Sequence, residues 1–185
     1  MCKIYKVLIL FLCFSAHILY GQETRPINWA KKLDINAFIN LYKVNDSIYR
    51  SEQPDSFDIL TLKQLGIKSM LNLRNKHHDS VFIGKSPLEL YTVHMKAQHI
   101  KDKDVINALK IMEKAPKPIL IHCKHGSDRT GLIVAMYRIA YQNWTKDQAL
   151  DELKNGGYGF HKIFMNIPAY IKKVDVEKIR AKVLQ

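Results

Sequence analysis

Ile119-Leu120-Ile121-His122-Cys123-Lys124-His125-Gly126-Ser127-Asp128-Arg129-Thr130-Gly131 is the stretch that decides the fold. Its apolar start, 119–121, is of buried-strand type, and a helix is expected to open at Arg129 and to continue through the apolar residues 132–141. The residues between Cys123 and Arg129 then form a loop at a helix N-terminus, where backbone amides can converge on one anion. A phosphate asks for several N–H donors, the positive end of a helix and a planar bidentate cation, and Arg129 supplies the last. Gly126 allows the positive φ that such a cradle often requires. The same field favours the thiolate form of Cys123, and a thiolate beneath a phosphoryl group is placed for in-line attack. The implied chemistry is nucleophilic catalysis through a phosphocysteine that water later hydrolyses, with no metal and no other cofactor. Lys124, His125, Gly126, Ser127 and Thr130 are the candidate substrate-binding residues, and the Thr130 hydroxyl can also serve the sulfur as it leaves. His122 is expected to orient the loop.

Outward from this loop, strands and helices alternate. Residues 41–44 and 48–50, on either side of Asn45-Asp46-Ser47, predict a hairpin. A helix over 56–65 lies between Pro54-Asp55 and Gly66, followed by a strand over 67–73, a polar loop over 75–87 and a strand over 91–95. Val105, Ile106, Leu109 and Met112 recur at helical spacing within 102–115, and Pro116-Lys117-Pro118 closes that helix. Thr145 with Gln148 has the capping-box spacing, opening a helix that ends at Gly156-Gly157. A tight turn over 157–161 and two helical stretches over 162–183 complete the chain. The pattern predicts an α/β fold: a central, mostly parallel sheet flanked by helices in a three-layer sandwich.

The composition suits one globular domain: 185 residues, 47% hydrophobic and 25% charged, with eight Gly and six Pro, which excludes a disordered or collagenous chain. Lys3, Lys6 and the apolar residues 7–14 read as a secretory signal peptide over 1–21, cleaved after Gly21, which implies an exported and periplasmic protein without stable membrane insertion. Residues 22–40 are then an N-terminal extension and 41–185 the domain. Removing 1–21 takes Cys2 and Cys13 away, so the mature chain has one thiol, Cys123, and no internal disulfide. The formal charge of +12 points to anionic partners, either phosphorylated molecules or anionic lipid. Nucleic acid is not expected as a partner, because the Lys residues are dispersed, without a basic run or interleaved aromatics.

His-Cys-x-x-Gly-x-x-Arg-Thr-Gly resembles the phosphate-binding loop of cysteine-dependent tyrosine and dual-specificity phosphatases. Tyr49-Arg50-Ser51-Glu52-Gln53-Pro54, Leu71-Asn72-Leu73-Arg74, Ala135-Met136-Tyr137-Arg138-Ile139 and Gly156-Gly157-Tyr158-Gly159 extend the likeness over roughly residues 40 to 172, to the compact bacterial dual-specificity type, several of which are exported. Plant and fungal enzymes acting on inositol pyrophosphates share the Leu-Arg strand and the loop. The resemblance implies hydrolysis of phosphate monoesters, on phosphotyrosine, phosphoserine or phosphothreonine proteins or on an inositol-phosphate-like molecule, with Cys123 as nucleophile and Arg129 as phosphate ligand.

In one place the sequence departs from that pattern: Gln98 stands where the exported relatives carry a general-acid Asp, and an amide cannot donate the proton. Two carboxylates remain as candidates. Asp128 lies inside the loop, and Asp102 lies just beyond Gln98, where the residue type also suits a helix N-cap. A rhodanese-like sulfurtransferase and a non-catalytic phosphate-binding pseudophosphatase are the alternative functions. His77, His78, His94, His99 and His161 show no i, i+4 pair of zinc-helix type, so no metal site is expected, and Phe160-His161 read first as core packing, with an approach to the active site from the late turn as the alternative.

Overall fold

Strand residues alternate between two cores, and that alternation sets the layers. In the computed structural model, which describes residues 25–35, 38–84 and 86–185, the chain runs β1 (Lys31–Lys32), β2 (Tyr42–Asn45), β3 (Ile48–Ser51), α1 (Asp58–Gln64), β4 (Ser69–Asn72), α2 (Ser80–Ile83), β5 (Glu89–Thr92) and α3 (Asp102–Lys114). It continues through β6 (Ile119–His122), α4 (Asp128–Tyr141), α5 (Lys146–Asn155), a short 3₁₀ turn over Lys162–Phe164, α6 (Asn166–Lys173) and α7 (Val176–Val183). The strands form one sheet in the order β1-β2-β3-β6-β4-β5. The pairs β3–β6, β6–β4 and β4–β5 are parallel, while β1 and β2 extend the β3 edge antiparallel.

Leu120, Met70 and Tyr49 face the smaller core, with Ile59 and Leu62 of α1. Their neighbours Ile119, Ile121, Leu71 and Ile48 face the larger one, built with α3 to α7. This is the expected period of two on a sheet covered on both faces. The hairpin and the capping box at Thr145 form as the sequence predicts; Thr145 Oγ1 accepts from the Gln148 amide at 3.1 Å and Gln148 Oε1 from the Thr145 amide at 2.9 Å.

Several elements differ from expectation. The strand expected over 91–95 sits at Glu89–Thr92, because β5 takes its register from β4, Ser69 opposite Glu89. The polar loop over 75–87 contains the short helix α2. The described residues of the 22–40 segment, 25–35 and 38–40, pack on the rest of the domain: they supply β1, and Ala30 and Phe38 are buried. The Ala30 amide donates to Glu152 Oε1 at 2.7 Å, and Glu152 also pairs with Arg138 at 2.8 Å and accepts from Tyr158 Oη at 2.9 Å. One buried carboxylate thus ties the N-terminal segment, α4, α5 and the late turn together. Residues 1–21, where the sequence predicts a signal peptide, lie outside the described residues. No described helix is long and apolar enough to cross a membrane.

Candidate active site

Three parallel strands end side by side, Ser51 beside His122 and His122 beside Asn72, so β6 delivers Cys123 to the carboxyl edge between β3 and β4. A loop follows and α4 begins at Asp128, one residue before the predicted start. Ligand sites in open α/β sheets lie at this carboxyl edge.

The loop is held by its carbonyls. Lys124 O accepts from the Gln53 amide at 3.3 Å, His125 O from Asn40 Nδ2 at 2.7 Å, and Gly126 O from a terminal Arg50 nitrogen at 2.7 Å. In a planar trans peptide the following N–H points the opposite way. The amides of His125, Gly126 and Ser127 therefore face the inside of the turn, and among the described residues none of them has a backbone acceptor. Those of Asp128, Arg129 and Thr130 belong to the open first turn of α4. Six N–H groups and a helix dipole thus converge as a cradle for a tetrahedral oxyanion. Gly126 is required here: its φ is +71°, and a Cβ would lie 2.5 Å from the Ser51 carbonyl carbon.

Cys123 is 1% exposed at the base of this cradle. A terminal Arg129 nitrogen rests on Leu73 O at 3.3 Å and Met95 O at 3.4 Å, while its Nε is buried with no protein partner, leaving a donor for an anion. Thr130 is fully buried with its hydroxyl unpartnered, so the hydrogen bond to the sulfur expected of it is not formed in this state. Ser127 Oγ donates to Tyr158 O at 2.6 Å and serves the loop's anchorage to the late turn. Lys124 and His125 are exposed at the mouth. There a cleft of about 430 Å³ is lined by Asn75, Lys96, Gln98, Asp128, Arg129 and Phe164, among others.

Two supports were not legible as site residues. Asp79 Oδ2 lies 2.9 Å from His122 Nε2, both side chains being buried, and Asp79 Oδ1 accepts from Asn72 Nδ2 at 2.8 Å and from Gln53 Nε2 at 3.1 Å. Burial alone would raise the Asp79 carboxyl, but the His122 hydrogen bond and charge, with Gln53 and His77, hold it below the usual carboxylate range. His122 is fixed by a carboxylate through Nε2, while its Nδ1 is buried with no hydrogen-bond partner among the described residues, so the hydrogen bond from His122 to the loop that the sequence predicts is not formed. The second support is Arg50, 1% exposed, whose guanidinium stacks 3.5 Å from the Tyr158 ring centroid as it holds Gly126. Burial lowers its pKa, countered by Tyr158, Glu152 and Cys123.

The two acid candidates separate in space. Asp128 is 5% exposed and reaches the late turn: Oδ1 accepts from the His161 amide and Oδ2 lies against His161 Nδ1, both at 2.9 Å. It lines the same cleft as Arg129. Asp102 is not the N-cap, a position Lys101 occupies; it opens the first turn of α3, exposed, and accepts from Tyr170 Oη at 2.9 Å in a neighbouring cleft without Arg129. His161 also departs from expectation. It is half exposed rather than packed in the core, and it stacks beside His125 with ring centroids 5.2 Å apart. Burial, together with the His161 and Lys124 charges, pushes the His125 pKa down.

A buried thiol beneath an inward-facing amide ring, with a phosphate-geometry Arg on the next helix, defines a cysteine-dependent phosphatase. The tyrosine phosphatase family matches residues 37–183, and the chain belongs to that family. It is 35% identical over 166 residues to the dual specificity protein phosphatase TpbA of Pseudomonas aeruginosa, covering 89% of this chain and 75% of that protein. A crystal structure of TpbA carrying a Cys-to-Ser change, in complex with pTyr, superposes with a TM-score of 0.79 at 32% identity, over 88% of this chain and 99% of that one. The inositol diphosphatase DSP3 of Arabidopsis thaliana is 29% identical over 151 residues, covering 76% of this chain and 72% of that protein. The chain is therefore a phosphatase of the dual-specificity-like type, and the sulfurtransferase alternative falls away.

Proposed function

We propose that this phosphatase acts on phosphorylated protein side chains, phosphotyrosine foremost, through Cys123. The observation that carries this is the outward tethering of the Lys124, His125 and Gly126 carbonyls, which turns the loop amides on one phosphate above the thiol. Cys123 Sγ attacks phosphorus and forms an S–P bond as the P–O bond to the leaving group breaks. Arg129 and the loop amides hold the equatorial oxygens. The departing oxygen takes a proton from Asp128, which lines the cleft and is left as a carboxylate held beside His161. Water then attacks the phosphocysteine, giving its proton back to Asp128 as the S–P bond breaks and phosphate leaves.

An inositol pyrophosphate is the second reading. Lys96 and Lys124 beside Arg129 supply positive charge for a polyanion, and Gln98 in place of an acid costs little when the leaving group is itself a phosphate needing no proton. The purified domain, residues 22–185, separates these readings when phosphate release is measured side by side from a phosphotyrosine peptide and from an inositol pyrophosphate. A higher kcat/KM on the peptide is expected, and preference for the pyrophosphate replaces the first reading with the second. The protein is also assigned to the periplasm on Lys3, Lys6 and residues 7–14. N-terminal sequencing of native protein should begin near Gln22, and an intact Met1 refutes export.

A further inference from the structure

The rim of the loop holds a cluster that phosphoryl transfer does not need in full. His125, Asp128 and His161 each present one ligand atom, and these atoms all lie within 4.8 Å of one another. Two neutral imidazoles and one carboxylate form a donor set suited to zinc and similar divalent transition metals. The parts come from different places: His125 from the loop, Asp128 from the first turn of α4, His161 from the turn before Lys162–Phe164. That separation of 33 residues between Asp128 and His161 hides the set from any spacing motif.

We propose that these three side chains form an inhibitory site for a divalent transition metal such as Zn²⁺. Ligands at about 2.0–2.1 Å from a tetrahedral ion stand roughly 3.3–3.4 Å apart. The 2.9 Å contact of His161 Nδ1 with Asp128 Oδ2 needs to open by only a few tenths of an ångström, with the ion replacing the shared proton. His125 is exposed and makes no side-chain hydrogen bond among the described residues, so its ring turns inward without breaking one. A fourth position stays open to water or to a substrate oxygen. Lys124, Arg129 and the positive end of α4 oppose the cation, which makes the site weaker than a closed structural zinc centre and its occupancy dependent on metal supply. An Asp128 carboxylate bound to metal cannot carry the proton for a leaving group. This consequence, unlike the site itself, rests on Asp128 as the acid.

The test is titration of untagged, chelator-treated protein with Zn²⁺ against a chromophoric chelator, for wild type, Cys123→Ser, His125→Ala and His161→Ala, with melting curves in the absence of zinc as the folding control. Wild type and Cys123→Ser should each bind one equivalent, and each His variant should bind at least about tenfold more weakly. Failure of wild type to compete with the chelator overturns the site. So does binding that survives both His substitutions, or binding lost in Cys123→Ser, which moves the metal to the thiolate. In wild type, zinc should slow phenyl phosphate hydrolysis more than that of p-nitrophenyl phosphate. Bound zinc with equal slowing of both retains the site and overturns the acid role of Asp128.

Discussion

The underside of the loop and its rim are built by opposite means. Beneath, Asn40, Arg50, Gln53 and the Asp79–His122 pair fix carbonyls and ring through hydrogen bonds, those of Arg50 and of the Asp79–His122 pair being buried. At the rim, Lys124, His125 and His161 stand in solvent, and only Asp128 among the titratable groups there is buried. The underside decides that an anion binds and where the thiol sits below it. The rim decides which leaving group departs and how it is protonated. Substitutions below should therefore damage every substrate alike and also stability, whereas those at the rim should discriminate among substrates and leave the fold intact.

The largest effect belongs to the sulfur that the two regions share. Cys123→Ser should reduce turnover to below about one part in a hundred, a small residue of the factor of 10⁶ or more that enzymes supply. It should still bind phosphate or vanadate, because the amides and Arg129 survive; calorimetry with vanadate checks this. At the rim, Asp128→Asn should slow phenyl phosphate by about 10² to 10⁴-fold and p-nitrophenyl phosphate far less. Asp102→Asn should leave the ratio of the two unchanged, and a selective loss there instead would reverse the assignment.

The underside comes next. Asp79→Asn should lower kcat/KM by roughly ten- to a hundredfold on both substrates and cost about 1–3 kcal/mol of stability, because a buried partner of His122 loses its charge. The sign with pH follows from its lowered native pKa. The carboxylate's contribution is present above its unfolded value of about 3.9 and is lost as the pH falls through the lower native one, so the stability gap between wild type and variant should close below about pH 4. Urea melts at pH 7 and pH 3 measure it.

This division also explains what the sequence shows and what it hides. The loop, its strand and its helix are contiguous, so Cys123, Gly126 and Arg129 are legible together, as are the 41–50 hairpin and the Thr145–Gln148 cap. Asp79, 43 residues before His122, and Arg50, 76 before Gly126, carry no local signal, because parallel pairing of β3, β6 and β4 is what brings them under the loop. His161 is ranked as packing ahead of an approach to the active site for a similar reason. Beside Phe160 and after a Gly-rich turn it reads as packing, and only the fold of the late turn over the loop sets it on Asp128. Asp102 shows the reverse error, since its helix-start signal is real but shifted one residue by Lys101.

The central claim, that the underside places a thiol for covalent transfer, is tested most directly by rapid acid quench of wild type during turnover of a labelled phosphate monoester, with peptide mass spectrometry. The account predicts phosphate on Cys123, formed and discharged at rates compatible with kcat, and none in Cys123→Ser. Full turnover without a phosphoenzyme, or with the label on His125 or another side chain, contradicts it.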